Sequence, residues 1–320
     1  MNKPVKIFAC KLKNRDLRME SQSGGAFSAI ALCFLKKGGI IYGCGMDSEK
    51  KAVFKRIDNA DELIDLKGSK YVQADMGDIF TLIKEDLGLG KLVLFSGTPC
   101  YVNAVNLFFR NNNNRNNLYT VDIICHGVPS PMVYKDYLNL CAEKENSKVV
   151  KFAFREKISG GEWHKHMEKM IFDNGKEIIT DDYTQLFYTN LALRPSCGKC
   201  PFSSMKRCSD FTVGDYWGVQ KFYPEFDDNT GVSLLFINDA RVLELLNEFK
   251  NDLDMIEITE DEACQQKNLK EPTDIPKVRN WFWRDYKKHG IEYCLRHWSP
   301  KAGFRFKLKR KLLRMINMWE

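Results

Sequence analysis

The amino-acid sequence predicts an α/β fold: a mixed sheet with flanking helices, a β-rich insertion and a helical C-terminal tail. Strand-like runs alternate with helical patterns over the first 145 residues, as they do in layered α/β proteins. The pattern turns β-rich from residue 149 and returns to strand, helix, strand near residue 232. The length of 320 residues and the apolar content of 44% suffice for a large core, which excludes a disordered chain.

Each predicted element rests on its own pattern of apolar residues. The predicted strands of the first part are residues 5–10, 39–44, 92–96 and 119–125. The predicted helices of this part, with apolar residues three and four positions apart, are residues 26–36, 76–87, 101–110 and 131–144. The β-rich insertion is predicted as a meander of residues 149–155, 169–172 and 176–179. The last alternation is a strand at 232–237, a helix at 241–249 and a strand at 255–258.

The net charge is modest and concentrated at one end. Lysine and arginine number 49 against 42 acidic residues, which gives +7. Seven basic residues and one acidic residue fall among the last twenty, so the excess lies almost wholly in the tail. A nucleic-acid binder is therefore not indicated. The N-terminus has no apolar run of signal-peptide length, which favours a cytoplasmic protein.

The tail at residues 304–319 predicts a basic amphipathic helix. Its apolar residues recur three and four positions apart, at Phe304, Leu308, Leu312, Met315 and Trp319. One interpretation is a peripheral contact with the inner face of an anionic membrane. The other interpretation is that the apolar stripe docks on the protein's own body and the charges are solvated.

Four of the eleven cysteines stand where a metal centre can be held. Cys100 follows a Gly-Thr-Pro turn at a predicted helix start, and Cys125 ends a predicted strand before a turn. If the two preceding strands are parallel neighbours, both sulfurs lie at one sheet edge. Cys197 and Cys200 form a CxxC pair, for which a redox dithiol, zinc, an iron–sulfur site and simple packing all stay open. The four thiols together would suit a cubane cluster.

Two glycine-bearing segments are candidates for holding a cofactor. Residues 21–25 precede a predicted helix, whose backbone N–H groups could receive a phosphate; a plain helix cap is the alternative. Residues 209–218 hold Asp210 and Asp215 beside two glycines and an aromatic pair. This segment could approach a planar cofactor, or it could be a glycine-bearing strand with core aromatics.

A basic and aromatic cluster follows the first strand of the insertion. It comprises Arg155, Lys157, Trp163 and His164. These side chains would suit an anionic or sugar-containing ligand. The alternative is a basic hairpin exposed to water.

The motifs, taken in order, resemble the coenzyme F420 hydrogenase/dehydrogenase beta-subunit family. The resemblance spans roughly residues 20 to 240. It is carried by Ser-x-Ser-Gly-Gly at 21–25, Gly-Ser-Lys-Tyr-Val-Gln at 68–73, Gly-Thr-Pro-Cys at 97–100, Cys-His-Gly-Val-Pro-Ser at 125–130, the CxxC pair, Ser-Asp at 209–210 and Gly-Asp-Tyr-Trp-Gly at 214–218. The wording of the last motif and of Arg-Pro-Ser-Cys at 194–197 is most similar to members encoded in bacterial polysaccharide loci.

The resemblance implies a flavoprotein that passes electrons between an iron–sulfur partner and an organic substrate, with FAD and one 4Fe-4S cluster as cofactors. It implies that the cluster ligands are Cys100, Cys125, Cys197 and Cys200. It implies that the residues near FAD are Ser21, Ser23, Gly24, Gly25, Lys70 and Tyr71. Asp210 and Asp215 would orient the flavin ribityl chain or cap a turn. His126 would donate a proton to reduced flavin or substrate, or would hydrogen-bond behind a cluster ligand.

The resemblance also suggests a division of the chain and a partner. Residues 1–90 would form an N-terminal flavin-phosphate module, residues 91–262 an iron–sulfur and flavin catalytic module, and residues 263–320 a helical C-terminal region. Many relatives begin with a two-cluster ferredoxin-like module, whereas this sequence starts at the flavin portion. We therefore expect electrons to come from a separate ferredoxin-like carrier or partner subunit, docked on a basic surface.

Two other classes of function remain open on the sequence. A zinc-stabilised binding protein would explain the CxxC pair, and metal analysis distinguishes it. A transferase of polysaccharide assembly with structural cysteines would be colourless and would bind a nucleotide sugar.

Overall fold

The computed structural model describes residues 1–157, 163 and 165–319. Its strands are β1 (Lys6–Leu12), β2 (Ile40–Met46), β3 (Ala52–Ile57), β4 (Val93–Gly97), β5 (Leu118–Ile123), β6 (Val149–Glu156), β7 (Met167–Phe172), β8 (Glu177–Thr180), β9 (Phe211–Asp215), β10 (Ser233–Ile237) and β11 (Leu253–Glu257). Its helices are α1 (Arg15–Glu20), α2 (Ala26–Lys36), α3 (Leu63–Leu66), α4 (Ile79–Gly88), α5 (Pro99–Phe108), α6 (Pro131–Glu145), α7 (Asp182–Phe187), α8 (Val219–Phe222), α9 (Leu243–Phe249), α10 (Glu260–Ala263), α11 (Arg279–Trp298, interrupted at Gly290) and α12 (Phe304–Met315).

Eight strands form the main sheet, in the order β11-β1-β10-β9-β5-β4-β2-β3. The neighbours β2, β4, β5 and β9 run parallel, and the remaining pairs are antiparallel. Buried side chains alternate across the sheet: Leu94 packs in the core cluster of α2 and α9, whereas Val93 and Phe95 pack in that of α4 and α5. A mixed sheet covered by helices on both faces confirms the predicted fold class.

The first and last parts of the chain meet in this sheet. Strand β1 lies between β10 and β11, and four strands lie between it and β2. Residues 1–90 and 91–262 therefore contribute to one common sheet, and the division into modules stays a prediction.

The β-rich insertion is a separate three-stranded sheet of β6, β7 and β8. Its buried aromatic residues Phe152 and Phe154 pack on tyrosines of α6 and α7, with Phe152–Phe154 centroids 4.7 Å apart. Tyr137 of α6 donates a hydrogen bond to the buried carboxylate of Glu168, with an O–O distance of 3.0 Å. The insertion is thereby fixed to the main body beside the carboxyl edge of the central strands.

The C-terminal tail forms a helix that begins at Phe304, as predicted, and ends earlier, at Met315. Phe306, Leu313 and Trp319 are buried, and the Trp319 ring lies 6.2 Å from that of Trp298. Of the five residues in the predicted stripe, only Trp319 docks on the body; the other four are exposed, from 46% for Leu308 to 77% for Phe304. No helix among the described residues is long and apolar enough to cross a membrane.

Candidate functional site

A cavity of about 930 Å³ opens at the carboxyl ends of the parallel strands β2, β4 and β5. Its walls include the segments 21–28 and 67–72, the turn after β4, the turn after β5, and part of α7. This is the edge at which α/β sheets place ligands, and the volume lies in the range of small-molecule sites. We call it the first cavity.

One wall of the first cavity is the N-terminus of α2. Gly25 precedes the helix with φ 83°, a left-handed conformation that favours glycine. The backbone N–H groups of Ala26, Phe27 and Ser28 line the cavity side and have no hydrogen-bond acceptor within the described chain. An eleven-residue helix directs its positive end and these donors toward the cavity, which fits a phosphate group.

The loop before α2 is held by the chain's own backbone. The Ser23 hydroxyl donates to the Val232 carbonyl at 2.7 Å, and the Gly24 N–H donates to the Ser233 hydroxyl at 2.9 Å. A Cβ on Gly24 would lie 2.3 Å from the Cys10 carbonyl oxygen. Gly24 is therefore required by packing against β1 and β10, and it does not line the cavity, unlike Ser21, Ser23 and Gly25.

Lys157 supports the same loop from below. Its ammonium donates to the carbonyls of Ser23 at 2.6 Å and Arg18 at 2.7 Å. Burial, together with the nearby charges of Arg155 and Arg18, lowers the pKa of Lys157 to about 7. This predicted substrate residue thus lies behind the candidate phosphate site rather than in the cavity lining.

Lys70 and Tyr71, which the resemblance implies to be flavin neighbours, line the first cavity. The Lys70 ammonium donates to the carbonyls of Leu66 at 3.1 Å and Lys67 at 2.7 Å, and burial lowers its pKa to about 8. The Tyr71 ring stacks on Phe187 with centroids 4.6 Å apart and an interplanar angle of 11°. The two rings form a flat wall against which an aromatic ring system can pack.

An ion pair closes another wall. Arg155 donates to the Asp215 carboxylate at 2.6 Å, both side chains are largely buried, and both line the cavity. Trp217 also lines it, and behind Trp217 the Trp163 ring stacks with centroids 5.6 Å apart. Trp163 therefore supports the wall rather than lining it. His164 lies outside the described residues.

Asp210, like Gly24, is a predicted cofactor residue that does not line the first cavity. Its carboxylate accepts hydrogen bonds from the Thr120 N–H at 2.7 Å and from Arg241 at 2.6 Å. These contacts join the starts of β5 and β9, and Asp210 is not part of the cavity lining. Asp210 therefore stabilises the sheet.

The four candidate ligand cysteines come from three segments that meet beside the first cavity. Cys125 follows β5, Cys100 is the second residue of α5, and Cys197 and Cys200 flank a short turn. Burial raises the pKa of Cys125, and the charges of Cys100, Cys197 and Cys200 each raise it further, which places all four thiols in one neighbourhood. Cys125 also lines the first cavity.

The CxxC turn approaches the β5 turn closely. Gly127 has φ 140°, and a Cβ there would lie 3.5 Å from the Cys197 sulfur. Within the described chain, no three His, Cys, Asp or Glu side chains converge tightly enough to hold a single metal ion. The donor set itself, four thiols from three segments of the chain, is the set that an iron–sulfur cluster takes, and in that respect it fits.

His126 lines the cavity with its ring bound by amide side chains. Its Nε2 lies 2.7 Å from the Asn190 Oδ1, while the Asn190 Nδ2 donates to the Asp274 carbonyl at 2.8 Å. Because the Asn190 oxygen faces the ring, Nε2 carries the proton in this network. Burial lowers the pKa of His126. This arrangement favours a neutral His126 ring held in place by Asn190, and not a ring with a proton free to donate to flavin or substrate.

Two contributors to the site were missed by the sequence reasoning. One is the set of backbone N–H groups at the start of α2, which no residue type in the sequence indicates. The other is the buried ion pair of Arg207 and Asp122, 2.9 Å apart and at most 1% exposed. Arg207 also donates to the carbonyls of Phe202 and Ile123, and so ties the segment after the CxxC pair to the end of β5. A carboxylate inside a largely buried strand with no other charged residue was the available signal for this pair.

Comparison with known proteins bears on the family. The chain matches the family described as coenzyme F420 hydrogenase/dehydrogenase, beta subunit, through its N-terminal part over residues 7–80 and its C terminus over residues 90–262. No curated protein sequence matches the chain. A solved structure of the F420-reducing NiFe hydrogenase complex from Methanosarcina barkeri, derivatised with xenon, is similar in fold, with 16% identity and a TM-score of 0.57 over 100% of this chain and 97% of that one. The chain belongs to the coenzyme F420 hydrogenase/dehydrogenase beta-subunit family.

Proposed function

We propose that the protein is an FAD- and 4Fe-4S-dependent oxidoreductase that passes electrons between an iron–sulfur partner and an organic substrate. One observation carries the proposal: Cys125 belongs both to the group of four thiols and to the lining of the first cavity. A cluster and a flavin held by these residues would be direct neighbours. Membership of a family of hydrogenase and dehydrogenase subunits supports electron transfer in general.

The chain's own residues would divide the work. Cys100, Cys125, Cys197 and Cys200 would hold the cluster, and the α2 amides would bind the FAD phosphates. Tyr71 and Phe187 offer the flat wall for the flavin ring, and the Arg155–Asp215 pair closes the site against water. When bound, the two cofactors would supply the coupling of one-electron transfer to two-electron substrate chemistry. His126 would be a positioned ring beside Cys125, because its Nε2 proton is donated to the Asn190 Oδ1.

The decisive experiment is anaerobic purification, followed by absorbance spectra and quantitation of flavin, iron, sulfide and zinc. We expect one FAD and one four-iron cluster per chain. A zinc-stabilised binding protein would hold zinc without flavin, and a transferase would be colourless. Either of those compositions would refute the oxidoreductase.

The substitution Gln22→Glu tests the phosphate site. Gln22 lines the first cavity in the loop before α2, so a carboxylate there would repel the phosphates of a bound nucleotide. We expect affinity for FAD and FMN to fall about tenfold, roughly 1.4 kcal/mol, while riboflavin binding is unchanged. Flavin fluorescence titration measures this, and Gln22→Met is the neutral control of similar length. Equal losses for riboflavin and FAD would contradict the placement.

The partner proposed for electron exchange is an acidic ferredoxin-like carrier. Arg194, Lys199 and Lys206 are exposed around the CxxC turn, and Cys100 is exposed beside them. Complementary charge of this kind favours fast docking of an acidic partner. We infer that the substrate belongs to polysaccharide assembly, because the motifs at residues 194–197 and 214–218 are most similar to those of members encoded in polysaccharide loci. A cytoplasmic location suits that role.

We propose that α12 contacts an anionic membrane surface. Its four exposed apolar residues lie among lysines and arginines. We expect the chain to co-sediment with vesicles of equal parts phosphatidylglycerol and phosphatidylcholine, but not with phosphatidylcholine alone. The double substitution Leu308→Gln/Leu312→Gln should lower binding about tenfold or more, because both leucines are exposed. Leu89→Gln, at an exposed leucine outside α12, is the matched control. Equal binding by both variants would remove the membrane contact.

A further inference from the structure

A second cavity, of about 880 Å³, lies between the turn that joins β2 to β3, the segment 72–76 and α6. It shares Val72, Ala74 and Tyr101 with the first cavity. A single layer of residues therefore separates the two spaces. None of the four cysteines and none of residues 21–28 lines the second cavity, so it lies outside the cofactor set proposed above.

Lysines dominate the charge of the second cavity. Lys50, Lys51, Lys135 and Lys148 line it, against the carboxylates of Glu49 and Asp75. The Lys51 ammonium is paired with Asp75 at 2.7 Å. In the described chain, no carboxylate lies within ion-pair distance of Lys135 or Lys148. The rim therefore carries an unbalanced positive charge, which attracts an anion.

An apolar wall lies inside the lysine rim of the second cavity. Tyr134, Leu138 and Val149 contribute to this wall. The Tyr134 hydroxyl is buried within the protein and cannot be reached from the cavity, so only the ring of this residue is available to a ligand. The wall therefore favours a ligand with an apolar body.

We propose that the second cavity binds an organic phosphate, whose anionic group meets Lys135 and Lys148 and whose body packs on the apolar wall. The charge selects the anionic group of such a molecule, and the apolar surface selects its body. Through the shared wall, the ligand would contact Tyr101, which also lines the first cavity and donates to the Ala74 carbonyl. The site does not depend on the proposed function, because a layer of residues separates its ligand from the first cavity.

The test uses phenyl phosphate as the probe, titrated calorimetrically into the full chain loaded with FAD. We expect binding of phenyl phosphate but not of phenol. The double substitution Lys135→Ala/Lys148→Ala should weaken binding at least tenfold. Lys144→Ala is the matched control, because Lys144 lies on the same helix, pairs with Glu292 and does not line the cavity. Unchanged affinity in the double variant would overturn the proposal.

The first-cavity substitution Gln22→Glu gives a second, independent measurement. It should leave phenyl phosphate binding unchanged, because Gln22 lines the first cavity and not the second. Loss of probe binding in Gln22→Glu, with none in the lysine double variant, would place the probe in the first cavity and refute the site. If the chain binds no flavin, the proposed function fails, but the lysine dependence of probe binding is still measured on the flavin-free chain.

Discussion

The double substitution Cys197→Ser/Cys200→Ser is expected to abolish iron and sulfide binding. A serine hydroxyl does not replace a thiolate as a cluster ligand, and two of the four sulfurs would be lost at once. Protein reconstituted anaerobically with iron and sulfide should therefore lack the cluster absorbance while keeping flavin. Iron and sulfide quantitation, with the absorbance spectrum, measures this. The expected effect is complete loss, because the cluster has no substitute ligands in the group.

Two cysteines outside the group serve as controls. Cys208 lies close by, but its thiol donates to the Pro99 carbonyl at 3.5 Å. Cys141 lies on α6, away from the group. We expect Cys208→Ser and Cys141→Ser to retain full iron. Full iron in the double variant, or its loss in Cys141→Ser, would rule out the assignment of the ligands.

Asp122→Ala is expected to lower the free energy of unfolding by about 3–5 kcal/mol. The substitution leaves the guanidinium of Arg207 buried and without its counter-charge, 1% exposed in the interior. The Thr212 hydroxyl, which donates to Asp122 at 2.6 Å, also loses its acceptor. Urea unfolding followed by circular dichroism measures the change. Because Arg207 also ties the segment after the CxxC pair to β5, iron retention should fall with it.

An exposed ion pair provides the comparison. Glu257 accepts from Lys6 at 2.8 Å, and both side chains are about half exposed. We expect Glu257→Gln to change the free energy of unfolding by less than about 1 kcal/mol, because solvent screens such pairs. The double substitution Arg207→Met/Asp122→Leu should recover much of the free energy of unfolding that Asp122→Ala loses, because it removes both buried charges. It should not recover iron, because it does not restore the hydrogen bonds that Arg207 makes. An Asp122→Ala loss no larger than that of Glu257→Gln would show that the buried pair is not structurally important.

The apolar pattern predicted most of the fold, because burial on one or both faces leaves a direct trace in sequence. Helix α2 was predicted at its observed bounds, and the strand of residues 39–44 lies within two residues of β2. Strand β3 was missed, since Lys55 and Arg56 interrupt its apolar run at the edge of the sheet. The order of strands was beyond the pattern, because pairing between β1 and β10 depends on contacts more than two hundred residues apart.

The candidate site was predictable where the chemistry resides in a side chain. The four thiols meet beside the first cavity, and Lys70, Tyr71 and Asp215 line it. Asp210 does not, because a carboxylate near a glycine motif can equally close a hydrogen-bond network between strands. The α2 amides could not be read from residue types, since every residue has an N–H group and only the helix start leaves it free.

The hydrogen bonds that hold the loop before α2 bear on the order of events while the protein is being made. Ser23 is held by the Val232 carbonyl, 209 residues later in the chain, and Gly24 is held by Ser233. The candidate phosphate site is therefore encoded near the start of the chain but takes its shape only after β10 has been synthesised and inserted beside β1. If a nucleotide binds at this site, as proposed, the growing chain would not capture it while only its N-terminal third is outside the ribosome. Loading of that cofactor would then be one of the last events of biogenesis, and it would report that both ends of the sheet have joined.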